Sequence, residues 1–513
     1  MIKNIFALLL LISPVFLSAQ KKDKNLEKLA KSITAEDMKK HLYIIAGKEM
    51  EGRDTPSPGL EKAANYIENH FKSLGLLAGN KDSYRQYYPL YRDSVLSASL
   101  KVNGKDFDMN KDFQPQASNF TANMRFSEIV FAGYGIVDGD VRDDYKGLQV
   151  AGKLVMIIDG APADYKAPQG FRSPAGSNAK MNAAVNKGAA ALMIVTNNFP
   201  RNSFNSTTNW SMNSFKATQT QFTFNVSSTV AAAILSEEGQ GFYEKLKTRP
   251  AAAKAIPSEI ELGFSKNTRS TNVSNVLGLL EGTDKKDEYI VISGHYDHLG
   301  KRNDSTIYYG ADDDGSGTTG VLELAEAFAE AKKAGKGPRR SILFLSVSGE
   351  EKGLLGSRYY SEHPVYPLEK TSVDLNIDMI GRIGTEYLKD KDSVNYIYVI
   401  GDDKISSDLN PIAEKVNNTY TKLKLDRKYN DPNDPNRFYF RSDHYNFAQK
   451  GVPIIFYFNG VHADYHKTTD TPDKINYPLM ALRTQMVFYT AMEIANRDAM
   501  LKRDIPLEQP RGF

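Results

Sequence analysis

The stretch YIVISGHYDH, residues 289–298, joins a run of mostly apolar residues to a histidine-containing end. Three later runs also lead into histidine or carboxylate side chains: SILFLSVSGEE (341–351), VDLNIDMIG (373–381) and VPIIFYFNG (452–460). Short apolar runs that alternate with helical patterns are typical of parallel strands in an α/β protein. Loop residues beyond the carboxyl ends of such strands converge on one site. The sequence therefore predicts a mostly parallel mixed sheet, flanked by helices, with a site at one edge.

The polar residues that follow these runs are imidazoles and carboxylates. They are His295, Asp313 within GADDDGSG (310–317), Glu350, Glu351, Asp378 and His466. Two histidines and several carboxylates on one sheet edge are a ligand set for zinc or a similar divalent ion. The pattern therefore predicts a metal-dependent enzyme.

The composition is that of a globular protein with more than one domain. The chain has 513 residues, of which 41% are hydrophobic and 25% charged, and its formal net charge is +3. Two or three domains are expected at this length. The nearly balanced charge gives no indication of a nucleic-acid partner. Because the chain has no cysteine, disulfides, thiolate metal sites and a cysteine nucleophile are excluded.

The first twenty residues have the pattern of a secretory signal peptide. Lys3 precedes an apolar run, and the small residues Ser18 and Ala19 follow it. This pattern predicts cleavage after Ala19 and a periplasmic or secreted protein. No later segment approaches the roughly 20 apolar residues of a membrane-spanning helix, so we expect no transmembrane segment after cleavage.

The pattern of predicted secondary structure changes along the chain. A capping box at residues 34–37 and an amphipathic pattern at 59–76 predict helices near the N-terminus. Short alternating runs mixed with helix-like segments then indicate a separate α+β module, after which strands and helices alternate again. The predicted segments are a signal peptide (1–19), an N-terminal part of the main domain (20–95), an inserted module (96–265) and the main part of that domain (266–513).

Five short motifs resemble those of the di-zinc aminopeptidases, a family that includes bacterial leucyl aminopeptidases, aminopeptidase Y and glutamate carboxypeptidase relatives. In chain order they are GHYDH, GADDDGSG, SGEE, NIDMIG and YHKTTDT. The resemblance implies the zinc-exopeptidase fold and an enzyme that removes N-terminal residues from peptides. The inserted segment, with GYGI and NKGAAALMIV, is similar to the protease-associated domain found inside many of these enzymes.

The resemblance also implies two zinc ions per chain. Each ion would be bound by one imidazole and by one carboxylate of its own. A further carboxylate would bind both ions. The implied ligands are His295 and Asp378 for one zinc, Glu351 and His466 for the other, and Asp313 as the bridge. A cis peptide bond is implied between Asp313 and Asp314.

Three residues are expected to act in catalysis. Glu350 would be the general base for a hydroxide that bridges the zincs. Tyr465 would donate to the developing oxyanion. Asp297 would accept the second ring N–H of His295 and so fix its tautomer.

Other polar residues near the motifs are expected to support these groups. Asp470 would orient His466, while Asp312 and Asp314 would cap the following helix or shape the backbone around Asp313. The remaining histidines divide into expected surface residues (His41, His70 and His363) and residues with a structural or substrate-side role (His298, His444 and His462).

Other functions share these features. A carboxypeptidase keeps both metals and differs in its pocket. A glutaminyl cyclase uses one zinc and typically lacks a complete first site, whereas His295 and Asp378 are both present here. A non-catalytic binding protein on a peptidase scaffold would lack ligands, and none is missing. The expected partner is a peptide with a free N-terminus.

Overall fold

The computed structural model describes residues 22–168, 173–201, 207–214, 220–237, 241–249 and 255–507. The predicted signal peptide, residues 1–19, lies outside these ranges. Among the helices that the structure describes, none is long and apolar enough to cross a membrane.

The α-helices of the described residues vary from five to nineteen residues in length. In chain order they are α1 (Lys24–Ala30), α2 (Ala35–Ile45), α3 (Pro58–Ser73), α4 (Ser177–Asn186), α5 (Ser228–Leu235), α6 (Phe242–Thr248), α7 (Gly317–Lys333), α8 (Leu355–Glu362), α9 (Leu409–Thr419), α10 (His444–Ala448) and α11 (Tyr477–Ala495).

The strands include two long ones and many short ones. In chain order they are β1 (Leu77–Ala78), β2 (Arg85–Val102), β3 (Lys105–Phe107), β4 (Phe113–Pro115), β5 (Ala122–Phe131), β6 (Val137–Asp138), β7 (Arg142–Asp143), β8 (Leu154–Ile158), β9 (Ala191–Val195), β10 (Thr223–Val226), β11 (Ile256–Leu280), β12 (Lys285–His295), β13 (Lys301–Asn303), β14 (Thr306–Ile307), β15 (Arg340–Val347), β16 (Thr371–Ile377), β17 (Tyr396–Ile400), β18 (Lys424–Asp426) and β19 (Ile454–Phe458).

The chain divides into two compact units. The first contains the described residues up to Tyr88 and those from Val273 onward, and the second is Pro89–Asn272. The insertion predicted from the sequence is residues 96–265. Strands β2 and β11 contain the two points at which the chain passes from one unit to the other.

The first unit is built on a mixed sheet whose centre is parallel. Its strand order is β18-β17-β19-β16-β12-β15-β11. The four strands β19, β16, β12 and β15 are mutually parallel, while β11 pairs antiparallel with β15 and β17 pairs antiparallel with β19. Since β15, β16 and β19 are buried along their whole length, helices must cover both faces. Helices α7 and α11 pack on β12, β15 and β16, and α10 packs on β16 and β19.

The predicted N-terminal helices form, and their first turns explain where they begin. The Thr34 side chain caps α2 by accepting a hydrogen bond of 3.1 Å from the backbone N–H of Asp37. Ser57 caps α3 in the same way, and Pro58 occupies the first turn, where its missing N–H costs nothing. The apolar face of α3 is buried, including Ile67 and Phe71, so this helix is held by packing as well as by its cap.

The second unit is a smaller α+β fold with its own core. Strands β5, β8, β9 and β10 are parallel in that order, with β11 and β4 antiparallel at the two ends. Helix α4 connects β8 to β9, which makes a βαβ crossover. Buried side chains of these strands, such as Phe131, Met156 and Phe224, form the centre of the core.

Candidate metal centre

The carboxyl ends of the parallel strands bring the predicted site residues together. Strand β12 ends at His295, Asp378 directly follows β16, and the two glutamates Glu350 and Glu351 follow β15 after a two-residue link. The parallel pairing places the strand ends side by side, because His295 lies opposite Val347, the last residue of β15. The site predicted at the edge of the sheet is therefore present as a cluster of side chains.

One group of side chains forms around His295. Its Nε2 lies 3.4 Å from Asp313 Oδ1 and 3.7 Å from Asp378 Oδ1. All three side chains are buried, and the Ser442 hydroxyl donates a 2.6 Å hydrogen bond to the other oxygen of Asp378. This bond leaves Asp378 Oδ1 directed at the histidine, as a ligand with a supporting partner would be.

A second group forms on the other oxygen of Asp313. His466 Nε2 is 2.9 Å from Asp313 Oδ2 and 3.3 Å from Glu351 Oε1. His298 also belongs to this group, because its Nδ1 is 2.9 Å from Glu351 Oε1 and 3.8 Å from Asp313 Oδ2. Asp313 thus lies between two histidine–carboxylate groups, with one oxygen facing each. The part played by His298 was not foreseen.

The chemistry of this donor set fits metal ions. Two ligands that each lie about 2.0–2.1 Å from a tetrahedral zinc are about 3.3 Å apart, close to the 3.3 and 3.4 Å separations found here. Among the described residues, His295 Nε2, Asp313 Oδ2 and Glu351 Oε1 are buried without a hydrogen-bond partner. Unpaired buried polar atoms are costly, and cations bound in the two groups would satisfy all three.

The backbone of the bridging residue is held by neighbouring aspartates. Asp470 accepts hydrogen bonds from the backbone N–H groups of Asp312 and Asp313, at 2.9 and 3.3 Å. The expectation that Asp470 orients His466 was therefore wrong: its carboxylate fixes the chain at Asp313. The peptide bond between Asp313 and Asp314 is cis, as the resemblance implied.

Asp314 joins two segments of the site, which confirms its predicted structural role. Its Oδ1 accepts from the backbone N–H groups of Gly317 and Met379, at 2.8 and 3.0 Å. A side chain at Gly317 would collide with the Asp314 carboxylate and the Ile377 carbonyl. Only glycine therefore allows the first turn of α7 to approach the end of β16 this closely.

Asp297 has more than one partner. The ring Nδ1 of His295 is 3.1 Å from the backbone carbonyl of Asp297 and 3.6 Å from its carboxylate. The carboxylate accepts hydrogen bonds from the Glu350 backbone N–H (3.1 Å) and the Thr55 hydroxyl (3.0 Å). Through the carbonyl, Asp297 fixes the His295 tautomer, and through the carboxylate it fixes the backbone that carries Glu350.

Glu350 and Tyr465 face the same pocket as the metal-binding groups. Glu350 Oε2 is 3.9 Å from His295 Nε2. Burial raises the pKa of Glu350 well above its usual range, with His295 opposing and Glu351 adding to the rise. Burial likewise raises the pKa of Tyr465, so its phenol stays protonated, and its ring stacks on that of His466 with centroids 3.9 Å apart.

The remainder of this pocket is largely apolar. Its acidic end is formed by Asp313, Glu350 and Asp378, and its other lining residues are Met379, Phe438, Arg441, Phe456, Phe458, Val461 and Tyr465. The pocket therefore combines negative charge at the cluster with an aromatic wall, and it has one cationic side chain.

Arg53 supports the site from the segment between α2 and α3. It is fully buried and donates four hydrogen bonds of 2.7 to 2.9 Å to the backbone carbonyls of Ile45, Tyr296, Tyr309 and Gly310. Burial lowers its pKa to about 10, against the effect of the nearby aspartates, so it remains charged at neutral pH. A planar guanidinium can bind four carbonyls in this way, and lysine cannot.

Replacing Arg53 should destabilise the protein strongly. Arg53→Met removes the cation and leaves four buried carbonyls unpaired. It also removes the positive charge that offsets the repulsion among the nearby aspartates. We expect the free energy of unfolding to fall by about 3–5 kcal/mol, measured by chemical denaturation. The exposed Arg302 supplies the control, since Arg302→Met should change stability by less than about 0.5 kcal/mol. Equal stability of the two variants would contradict the role of Arg53.

The other histidines divide differently from the expectation. His444 Nε2 lies 2.8 Å from the Tyr439 carbonyl and His462 Nε2 lies 3.2 Å from Asp312, so both have the predicted structural roles. His363 is exposed. The prediction that His41 and His70 are surface residues was wrong, because each side chain is only 12% exposed and both contact Glu326.

Comparison with known families decides the classification of the larger unit. Residues 275–491 match the family model described as Peptidase family M28. These residues are a domain of peptidase family M28. The matched part of the chain begins in β11 and ends in α11, so this M28 domain includes every predicted metal ligand.

Individual relatives match only part of the chain. A protein of Pyrenophora teres f. teres named "Probable zinc metalloprotease" is 35% identical over 120 residues, which are 22% of this chain and 24% of that protein. "Aminopeptidase NAALADL1" of Rattus norvegicus is 34% identical over 124 residues, which are 24% of this chain and 16% of that protein. This chain therefore matches a quarter or less of the length of these relatives.

A solved structure matches over nearly the whole chain. It is "Aminopeptidase from Aneurinibacillus sp. strain AM-1", with a TM-score of 0.53, 20% identity and coverage of 95% of this chain and 100% of that chain. Because the two sequences are only 20% identical, the match supports a conclusion about the fold alone. It confirms the predicted fold of a mostly parallel mixed sheet flanked by helices.

Proposed function

We propose that this protein is an exported zinc-dependent aminopeptidase. The observation that carries the proposal is the position of Asp313, whose two oxygens face two separate histidine–carboxylate groups with Glu350 beside them. The match of residues 275–491 to family M28 supports a peptidase reaction, and the names of the similar proteins support zinc and cleavage at the N-terminus of a substrate. The signal-peptide pattern at residues 1–19 supports export to the periplasm or beyond.

Two zinc ions per chain fit the proposed catalytic site. His295, Asp378 and Asp313 would hold one, and Glu351, His466 and Asp313 the other. When bound, zinc lowers the pKa of a coordinated water toward about 7 and polarises a carbonyl oxygen. His298 also belongs to the second group, 2.9 Å from Glu351, and would limit the space around that ion.

The protein side chains supply the remaining chemistry. Glu350 takes a proton from the attacking water and returns it to the leaving amine, a role that suits a carboxylate in the same pocket as the proposed ligands. The neutral Tyr465 phenol donates a hydrogen bond to the oxyanion of the tetrahedral intermediate. Asp297 keeps Glu350 in place through its backbone N–H.

The pocket supports a substrate with an apolar N-terminal residue. The free amine would lie at the acidic end, near Glu350 and Asp378, and the side chain would pack on Phe456 and Phe458. Burying an apolar side chain against such a wall contributes about 1.5–3 kcal/mol. The inserted module, which we propose to be a protease-associated domain, is outside this pocket's lining residues.

A carboxypeptidase is the second candidate, because one observation favours it. Such an enzyme must bind the terminal carboxylate of its substrate with a cation, and Arg441 lines the pocket. Against this, Arg441 is exposed and its guanidinium lies 4.9 Å from the ring centre of Phe438. The acidic groups beside the cluster favour an amine over a carboxylate.

The shared carboxylate makes a prediction about zinc content. Asp313→Ala removes a ligand of both proposed ions, so the variant should retain two fewer zinc ions per chain than the wild type. Elemental analysis after dialysis against zinc-free buffer measures this difference. Asp473→Ala, at an exposed aspartate, should retain the full wild-type content. A loss of one ion in Asp313→Ala would contradict the bridging role and favour the single-zinc cyclase.

A further inference from the structure

A second cluster of potential metal ligands lies on three helices away from the sheet edge. His41 on α2, His70 on α3 and Glu326 on α7 each offer one ligand atom, and these atoms lie within 4.8 Å of one another. Glu326 is nine residues into α7, which places it about 13 Å along the helix from the end nearest Asp313. The cluster is therefore separate from the catalytic site.

The distances are compatible with a bound metal ion, and the His41 distance also suits a hydrogen bond. His41 Nε2 and His70 Nε2 lie 3.1 and 3.3 Å from the same oxygen, Glu326 Oε1. Ligands of a tetrahedral zinc are about 3.3 Å apart, whereas N–H···O bonds cluster at about 2.9–3.0 Å. His70 Nε2 is buried and, among the described residues, has no hydrogen-bond partner.

A buried, unpaired oxygen of Glu323 beside the cluster is the second, independent observation. Glu323, one turn before Glu326, has a side chain that is 1% exposed, and its Oε1 lies 3.8 Å from His41 Nε2. That oxygen has no hydrogen-bond partner in the described part of the chain. Among the described residues, Glu323 and Glu326 form ion pairs only with the two histidines. A buried carboxyl oxygen without a partner is unfavourable, and an ion bound beside it would satisfy that oxygen.

Both imidazole rings can direct a ring nitrogen toward a metal ion. The Tyr66 hydroxyl lies 2.7 Å from His41 Nδ1, so the ring can carry its proton there and turn the Nε2 lone pair toward Glu326. His70 Nε2 lies 3.3 Å from Glu326 Oε1 and, among the described residues, has no hydrogen-bond partner.

We propose that His41, His70 and Glu326 bind one zinc ion, or a similar transition-metal ion, that joins α2 and α3 to α7. The Glu326 side chain is 34% exposed, so solvent reaches the site and water would complete a four-coordinate ion. Helices α2 and α3 precede the inserted unit in the chain, and α7 follows Asp313. The ion would therefore fasten the N-terminal helices to the helix that follows the proposed bridging residue.

The test compares the zinc content of full-length variants. His70→Gln keeps a side chain of similar size and removes a ligand, and the exposed His363→Gln is the matched control. After metal removal, incubation with zinc chloride and dialysis, His70→Gln should retain one zinc ion fewer per chain than the wild type and His363→Gln. Equal zinc content in all three proteins would overturn the proposal.

The result does not depend on how many ions the catalytic site holds, because the measurement is a difference between proteins. His70→Gln should still cleave peptides, which shows that its fold and catalytic site are intact. Glu326→Gln provides a second variant, with the same expected loss, should His70→Gln fold poorly. In crystals, anomalous scattering at the zinc edge should show a peak between His41, His70 and Glu326. Zinc at the sheet edge with no peak at this position would overturn the proposal.

Discussion

Glu350→Gln is expected to lose roughly two to four orders of magnitude in kcat while keeping the zinc content of the wild type. Glutamine matches glutamate in size and can still occupy the pocket, but it cannot accept a proton. Glu350 contributes to neither of the two groups around Asp313, so its replacement leaves the proposed ligands in place. Steady-state kinetics on a peptide substrate, together with elemental analysis, measure both quantities.

Glu351→Gln is the matched comparison, one residue along the chain. Its Oε1 lies 3.3 Å from His466 and 2.9 Å from His298, so its loss should weaken the second metal group and lower the zinc content by one ion per chain. Normal turnover in Glu350→Gln, or loss of metal from that variant, would show that the roles of these two glutamates are reversed.

The strands that position the site residues could be predicted from the sequence because each strand has a local sequence pattern. An apolar run marks a strand, and the polar residue after it lies at the strand end, as His295 and Asp378 do. The five motifs in order then implied how the ligands pair. The structure brings all five predicted ligands into one cluster, and their roles as ligands stay a prediction.

The residues that sequence reasoning missed depend on how distant segments pack. Arg53 lies in a polar segment between α2 and α3, and only the folded chain shows that four carbonyls from three segments surround it. His41 and His70 have polar neighbours in sequence, yet their helices pack so that both face Glu326. A signal did exist for His298, three residues after His295 in the same strand-end segment, but the loop conformation decides where its ring points.

The central claim, that the protein removes N-terminal residues, is tested most directly by mass spectrometry on one peptide in three forms. The peptide should begin with an apolar residue, and its forms are unmodified, N-terminally acetylated and C-terminally amidated. A free amine would lie beside the proposed zinc pair and the acidic end of the pocket, whereas an acetyl group removes that donor and adds bulk. We expect the unmodified and amidated peptides to shorten from the N-terminus at similar rates and the acetylated peptide to remain essentially intact. Rapid cleavage of the acetylated peptide, with protection by the C-terminal amide, would contradict the account and identify a carboxypeptidase.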